Sequence, residues 1–371
     1  MAETESLRIA LVGCGQIADA HLGEIRKLAG ASVVAVCDME RDLAVQAAAR
    51  FEVPGVFTDL VQMLETARPN VVHITTPPHT HKPLALTALK GGAHVYVEKP
   101  FTVNLTDAQE VLAEARACGR LACVGHDHLF DPAWVECREM HVRGELGEIV
   151  HIESVQGYDL GGIFGRLVSS DQNHWVHRLP GGIFHNTISH AVYKITEFLP
   201  DESPGIWSSW SSSGSVKGTP GTELRVQMRG AATTATLISS CAARPVQRLA
   251  RIHGTKLSIE VDLEARLIRR YRALSWPGPF AKIEEPLRQA REAKQSFRRA
   301  IRRFFQSDLQ YLAGMAALFQ LFYQRIREGG PPPIPYREIL RVTSFMDAIF
   351  EDCLNPHPGR LAAPTGEAPS E

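Results

Sequence analysis

The run Leu7-Arg8-Ile9-Ala10-Leu11-Val12-Gly13-Cys14-Gly15-Gln16-Ile17-Ala18 decides the fold. A short apolar stretch leads straight into a G-x-G-x-x-A turn, and a helical period runs on from Ile17 to Leu28. In such a unit Gly13 permits a tight turn, Gly15 lets a pyrophosphate approach the backbone, and Ala18 allows close packing of helix on strand. The first helical amides, around Gln16 and Ile17, then face the negative charge. The next apolar run, Val33 to Cys37, ends at Asp38. An acidic residue there binds the ribose hydroxyls of an adenosine, so Asp38 favours NAD over NADP, whose 2′-phosphate it would repel. Arg41 could soften that preference. The competing reading is a glycine-rich turn with an aspartate that merely caps a helix.

Outward from this unit, apolar runs at Val71–Thr75, His94–Val97 and Leu121–Val124 alternate with helical periods at Arg41–Phe51, Leu60–Thr66, Pro83–Lys90 and Asp107–Ala117. Continuous apolar strands separated by amphipathic helices predict a doubly wound parallel α/β sheet, a Rossmann fold, over residues 1–126. Thr106 with Gln109 reads as a capping box for the last of these helices. The rhythm changes near residues 124–130. A helix, Pro132–Val142, a strand, Ile149–Gln156, and a turn-rich stretch, Gly157–Gly182, come next. Strands at Leu224–Met228, Ala235–Ser239, Ala250–His253, Leu257–Val261 and Leu267–Leu274 follow without intervening helices. Residues 127–354 are therefore expected to form an α+β domain with a mainly antiparallel open sheet. Helical spacing from Pro286 to Leu312 and at Tyr336–Phe350 completes it, and residues 355–371 read as a disordered tail.

The whole chain has 371 residues, 44% hydrophobic and 22% charged, with 40 basic and 41 acidic side chains for a net charge of −1. That length suits two domains, and that balance offers no field to attract nucleic acid or anionic lipid. Seven scattered cysteines without a CxxC pair fit reduced thiols in a cytoplasm. No signal peptide or membrane span is read. The basic run between Lys282 and Arg303 fits a solvated helix face better than a membrane-surface helix.

Three clusters carry chemistry. Thr75-Thr76-Pro77-Pro78-His79-Thr80-His81 follows a strand, and ligands of parallel sheets lie beyond strand carboxyl ends, so Thr75, Thr76, Pro77 and His81 are cofactor-cleft candidates. His81 could equally cap the next helix, and His79 reads as solvent-exposed. Glu98-Lys99-Pro100 also ends a strand. A lysine there, short of water and near a positive nicotinamide, should have a lowered pKa and could exchange a proton with a substrate hydroxyl; a salt bridge to Glu98 is the equal alternative. In Gly182-Ile183-Phe184-His185-Asn186-Thr187-Ile188-Ser189-His190, Asn186 and His190 share a helix face. His174, His177, His185 and His190 lie close in sequence, but no standard ligand spacing joins them, and no metal is expected.

Together the G-x-G-x-x-A turn, Asp38, the T-P-x-x-x-H loop (Thr76, Pro77, His81), Glu98-Lys99-Pro100 and the glycine-led helix ending at His190 resemble the Gfo/Idh/MocA oxidoreductases. Phe130-Asp131-Pro132 and Gly144-Glu145-Leu146-Gly147-Glu148 resemble the entry to that family's second domain. The resemblance implies an NAD(P)-dependent dehydrogenase acting on a hydroxyl carbon of a sugar or cyclitol, with Lys99 and His190 matching the catalytic pair. Glu98 would border the cofactor. The family commonly has an aspartate four residues before the histidine, where this chain has Asn186, so proton transfer is expected to rest on Lys99, His190 or both. The resemblance also implies pairing of subunits through the open sheet, as a homodimer or homotetramer. Tyr158, Asp159, Asn173, His174, Trp175, His177 and His185 are the candidates for lining a substrate pocket. Two other readings stay open: a redox-cycling lyase or glycosidase that keeps NAD bound, and a dinucleotide-binding protein without turnover.

Overall fold

The structure is a computed structural model and describes residues 6–212, 221–305 and 312–355. The N-terminal elements are β1 (Leu7–Val12), α1 (Ala18–Ile25), β2 (Ala31–Cys37), α2 (Arg41–Phe51), β3 (Gly55–Phe57), α3 (Leu60–Ala67), β4 (Val71–Ile74), α4 (His81–Lys90), β5 (His94–Val97), α5 (Leu105–Ala117) and β6 (Ala122–Val124). Their sheet has the order β3-β2-β1-β4-β5-β6 with every pairing parallel. This is the doubly wound arrangement, whose ligand crevice opens where the order reverses, between β1 and β4. Ile9, Leu11, Val72, Ile74 and Val95 have no exposure at all, which is why these strands read as unbroken apolar runs. The short β3 carried no such run. The expected capping box is replaced: Thr106 lies inside α5, and Asn104 caps it by accepting the Asp107 N–H at 2.9 Å.

Beyond β6 come α6 (Pro132–Val142), β7 (Ile149–Gly157), α7 (Ile163–Ser170), α8 (Gly182–Thr187), α9 (Ser189–Thr196), β8 (Gly205–Ser211), β9 (Glu223–Arg229), β10 (Thr234–Ser240), β11 (Arg248–Gly254), β12 (Ser258–Asp262) and β13 (Leu267–Tyr271). They build a seven-stranded sheet, β13-β12-β11-β7-β10-β9-β8, antiparallel except where β7 meets β10. One face, with Ile152, Val226, Leu237 and Ile252, is buried. The opposite face presents Glu153, Arg225, Gln227 and Arg251. The stretch read as turns contains α7, and β8 went unread because its exposed positions are serine and tryptophan.

The chain closes with α10 (Ala281–Phe305), α11 (Ala313–Glu328) and α12 (Tyr336–Leu354). α10 starts before Pro286, which sits in its first turns. Leu309 and the tail from residue 356 lie outside the described residues. α12 packs Phe345, Ile349 and Phe350 into the second core, whereas α11 returns to the first and buries Leu318, Phe319, Phe322 and Tyr323 there. The first sheet is thus completed by a helix from late in the chain, and the Leu105 N–H, donating to Asp347 Oδ2 at 2.8 Å, ties α5 to α12. Among the described residues no helix is long and apolar enough to cross a membrane.

Candidate active site

A cleft of about 1560 Å³ runs from the glycine turn across the ends of β4 and β5 to α8, α9 and β11. Small-molecule pockets usually hold roughly 300–1,000 Å³, so there is room for more than one ligand. Gly13 adopts φ +97°, and a Cβ there would come 2.6 Å from Thr76 Cγ2. Gly15 is the opposite case: a Cβ would meet nothing within 4 Å. The amides of Gly15, Gln16 and Ile17 make no hydrogen bond among the described residues, and all three residues line the cleft. Open space over unpaired amides at a helix N-terminus fits a diphosphate. Asp38 closes that end, its Oδ2 accepting the Cys14 N–H at 2.6 Å and its Oδ1 the Glu40 N–H at 2.9 Å. Thr75 Oγ1 donates to Gly13 O at 2.7 Å, and Thr75, Thr76 and Pro77 border the cleft. His81 does not reach it. Its buried ring lies between Pro100 O (2.9 Å) and Thr76 O (2.8 Å), where it fastens the two strand-end loops together.

Glu98 is buried, its Oε2 accepting the Lys99 N–H at 3.0 Å and its Oε1 2.9 Å from His21 Nε2. The contact continues inward from His21 Nδ1 to His73 Nδ1 at 3.0 Å, and from His73 Nε2 to the Tyr323 hydroxyl at 2.8 Å. Burial raises the Glu98 pKa, but the hydrogen bond and charge of His21 together with the charge and amide of Lys99 outweigh it, and the net shift is downward. Lys99 Nζ crosses between the domains and donates to the Asn186 backbone O at 3.1 Å. Burial pulls the Lys99 pKa down against the attraction of Glu98 and Asp127.

The chain stays right-handed through Ile188 between α8 and α9, so Asn186 and His190 both border the cleft. His190 Nδ1 is 2.7 Å from the Tyr193 hydroxyl, and its ring stacks on His128 with centroids 4.3 Å apart. Burial first, then the charges of His128 and Lys99, hold its pKa well below the usual histidine value. Asp127, just past β6, stands 3.9 Å from His190 Nδ1 through Oδ1. Burial and the nearby Glu98 push its carboxyl up to about 7. One turn beyond His190, Lys194 is fully buried, and burial with the charge of Arg248 lowers it to about 7.

Of the remaining pocket candidates, Tyr158, His174 and Trp175 line the cleft. Asn173 and Asp159 are exposed outside it. His177 Nε2 is 2.8 Å from Val168 O, which secures α7. His185 points away from the cleft and stacks on Phe350 at 5.0 Å in the second core. The four histidines weighed as zinc ligands are not gathered. Instead Asp127, His128 and His190 bring their ligand atoms within 4.8 Å of one another. Such spacing lets groups share an ion or share protons; the charges of Lys99, Lys194 and Arg248 oppose a cation there and hold the His128 and His190 pKa values down. Asp127, His128, Tyr193, Lys194 and Arg248 were missed in the sequence. The strand-end rule that singled out Lys99 also covers Asp127, which comes three residues after β6.

Residues 7–126 match a family described as an oxidoreductase family with an NAD-binding Rossmann fold. Over 143 residues the chain is 38% identical to inositol 2-dehydrogenase 4 of Saccharopolyspora erythraea, covering 38% of this chain and 42% of that protein. Over 144 residues it is 33% identical to D-glucoside 3-dehydrogenase of Escherichia coli, covering 38% and 41%. These alignments span less than half of the curated relatives. The crystal structure of an NAD-binding oxidoreductase from Klebsiella pneumoniae shares the fold over 95% of this chain and 98% of that one, with TM-score 0.76 and 20% identity. Over residues 7–126, then, the chain is similar to the NAD-binding Rossmann domain of the Gfo/Idh/MocA oxidoreductases.

Proposed function

We propose that the chain is an NAD-dependent oxidoreductase of CH–OH groups, with a sugar, cyclitol or related polyol as substrate. One observation carries this reading: Lys99, from the sheet that forms the dinucleotide cleft, meets Asn186 of the second domain at 3.1 Å, beside His190, in the same cleft as the open glycine turn. Gly13, Gly15, Gln16, Ile17 and Asp38 would hold the cofactor's diphosphate and adenosine, with Thr75, Thr76, Pro77 and Glu98 along its path. The bound nicotinamide supplies the acceptor for a carbon-bound hydrogen and its electron pair. Lys99 and His190 orient the substrate oxygen, and Tyr158, His174 and Trp175 face the sugar. The aspartate at the adenosine end supports NAD rather than NADP.

The direct test incubates the purified protein with NAD+ or NADP+ and a panel of sugars, inositols, sugar acids and nucleotide sugars, following absorbance of the reduced cofactor. Turnover with NAD+ is expected. No turnover on any of them, together with no cofactor binding, contradicts the proposal. Substrate consumption without net NADH would favour the redox-cycling alternative, and binding without turnover the non-catalytic one.

For its assembly we propose a homo-oligomer in the cytoplasm. Supporting it, α10 and the turn before it leave Phe280, Ile283 and Phe297 more than half exposed beside the open sheet edge. None of the seven cysteines is in a disulfide. A monomeric mass by light scattering would contradict the assembly.

A further inference from the structure

We propose that Asp127 is the group that takes the proton from the substrate hydroxyl, with Lys99 and His190 acting as the two donors that hold the oxygen. This rests on the oxidoreductase reading and deepens it. The helix face that carries His190 offers only the neutral amide of Asn186, which cannot accept a proton near neutral pH. The other carboxylates along the cleft are engaged. Glu98 holds His21 and the Lys99 amide, Asp38 the Cys14 and Glu40 amides, and Asp59 the Gln62 amide. Glu264 pairs with Arg248 at 2.6 Å, and Asp131 takes the Ala133 amide at 2.9 Å and faces Arg266 at 3.5 Å. Asp127 instead stands beside the pair: its Oδ1 is 3.9 Å from His190 Nδ1 and accepts the His128 N–H at 3.0 Å, and among the described residues no side chain hydrogen-bonds its carboxyl.

His190 is a poor acceptor in this setting. Burial keeps the Tyr193 hydroxyl protonated, and when that hydroxyl donates to His190 Nδ1, 2.7 Å away, the imidazole proton sits on Nε2. Neutral His190 then presents a donor to the cleft, as the Lys99 ammonium does. With both of these groups donors, the Asp127 carboxylate is the remaining place for a proton. Asp127 feels Glu98 and Lys99 just past β5, His190, Tyr193 and Lys194 from α9, and His128 on its own loop. The net effect leaves its carboxyl near neutrality, where it can both take and release a proton. In the step, the substrate O–H bond breaks with its proton going to Asp127. The C–H bond breaks with its electron pair going to the nicotinamide oxidant, and the C=O bond forms. Asp127 returns the proton to water through the open cleft.

The test uses Asp127→Asn, the double variant Asp127→Asn/Asn186→Asp, and wild type labelled with [4-13C]aspartate. Asp127→Asn is expected to lower kcat by about 100-fold or more with NADH affinity within a few-fold, losing the ionisation near pH 7 from the kcat/KM profile. The double variant should regain part of that loss, because position 186 lies at Lys99. In the labelled wild type one carboxyl resonance should titrate near pH 7 and vanish in Asp127→Asn. Asp127→Asn retaining kcat within threefold, or a wild-type Asp127 carboxyl that titrates near the ordinary aspartate value of about 4, would overturn the proposal. If wild type turns over nothing, the functional reading fails, and the carbon titration still decides the state of Asp127 on its own.

Discussion

Replacing Lys194 with methionine should stabilise the protein in a pH-dependent way. The side chain has no solvent exposure, and its Nζ has no hydrogen-bond partner among the described residues. Its pKa is lowered by burial and by Arg248 from 10.5 to about 7, with Asp127 opposing. Each pH step of displacement is about 1.4 kcal/mol, so keeping this group folded at or below neutral pH costs about 5 kcal/mol at most. The sign follows from proton counting. Between about pH 7 and 10.5 the unfolded chain keeps the proton that the folded chain has lost, so wild-type stability from this group rises with pH across that window. Methionine matches the unbranched length without the charge. Lys194→Met is therefore expected to gain about 2–4 kcal/mol at about pH 6.5, and the gain should shrink steadily toward pH 10. Urea unfolding of both proteins at several pH values reads this difference directly. A variant less stable at every pH, or a gain that does not change with pH, would refute the picture of an uncompensated buried ammonium behind His190.

Lys99→Ala should reduce turnover by about two to four orders of magnitude, with NADH still binding in a fluorescence titration. Loss of cofactor binding in parallel would assign Lys99 to the cofactor rather than to the substrate. Asp38→Asn should narrow the preference for NAD+ over NADP+, because the carboxylate that repels a 2′-phosphate is gone. Unchanged affinity for both cofactors would remove Asp38 from the adenosine site.

The first domain was legible because its central strands, β1, β4 and β5, are buried on both faces and each turn residue has a fixed job, from Gly13 to the loop before His81. The antiparallel sheet was legible from short runs such as Leu224–Met228, whose in-out alternation survives as buried and exposed positions. Local pattern failed where tertiary contact decides. His185 sits beside Asn186 in sequence, but Phe350 of a distant helix draws its ring into the core. His177 is taken by a carbonyl of α7, a helix not read among the glycines of its stretch. The aromatic face of α11 completes the first core, although the strands it covers lie far back in the chain. Asp127 belongs to no motif; the strand-end rule places it at the cleft, but its tie to His190 and Tyr193 emerges only when α9 is packed there.

Gly15→Val tests the central claim most directly. The Cβ site of Gly15 is clear of protein by 4 Å and its backbone is not left-handed, so valine intrudes on the cleft and not on the fold. With NADH titrated by fluorescence and thermal unfolding recorded alongside, wild type should bind. The variant should lose at least about 100-fold in affinity, roughly 3 kcal/mol, while its melting temperature stays unchanged. Equal binding by the two proteins, or none by wild type, would contradict a dinucleotide seated over this turn.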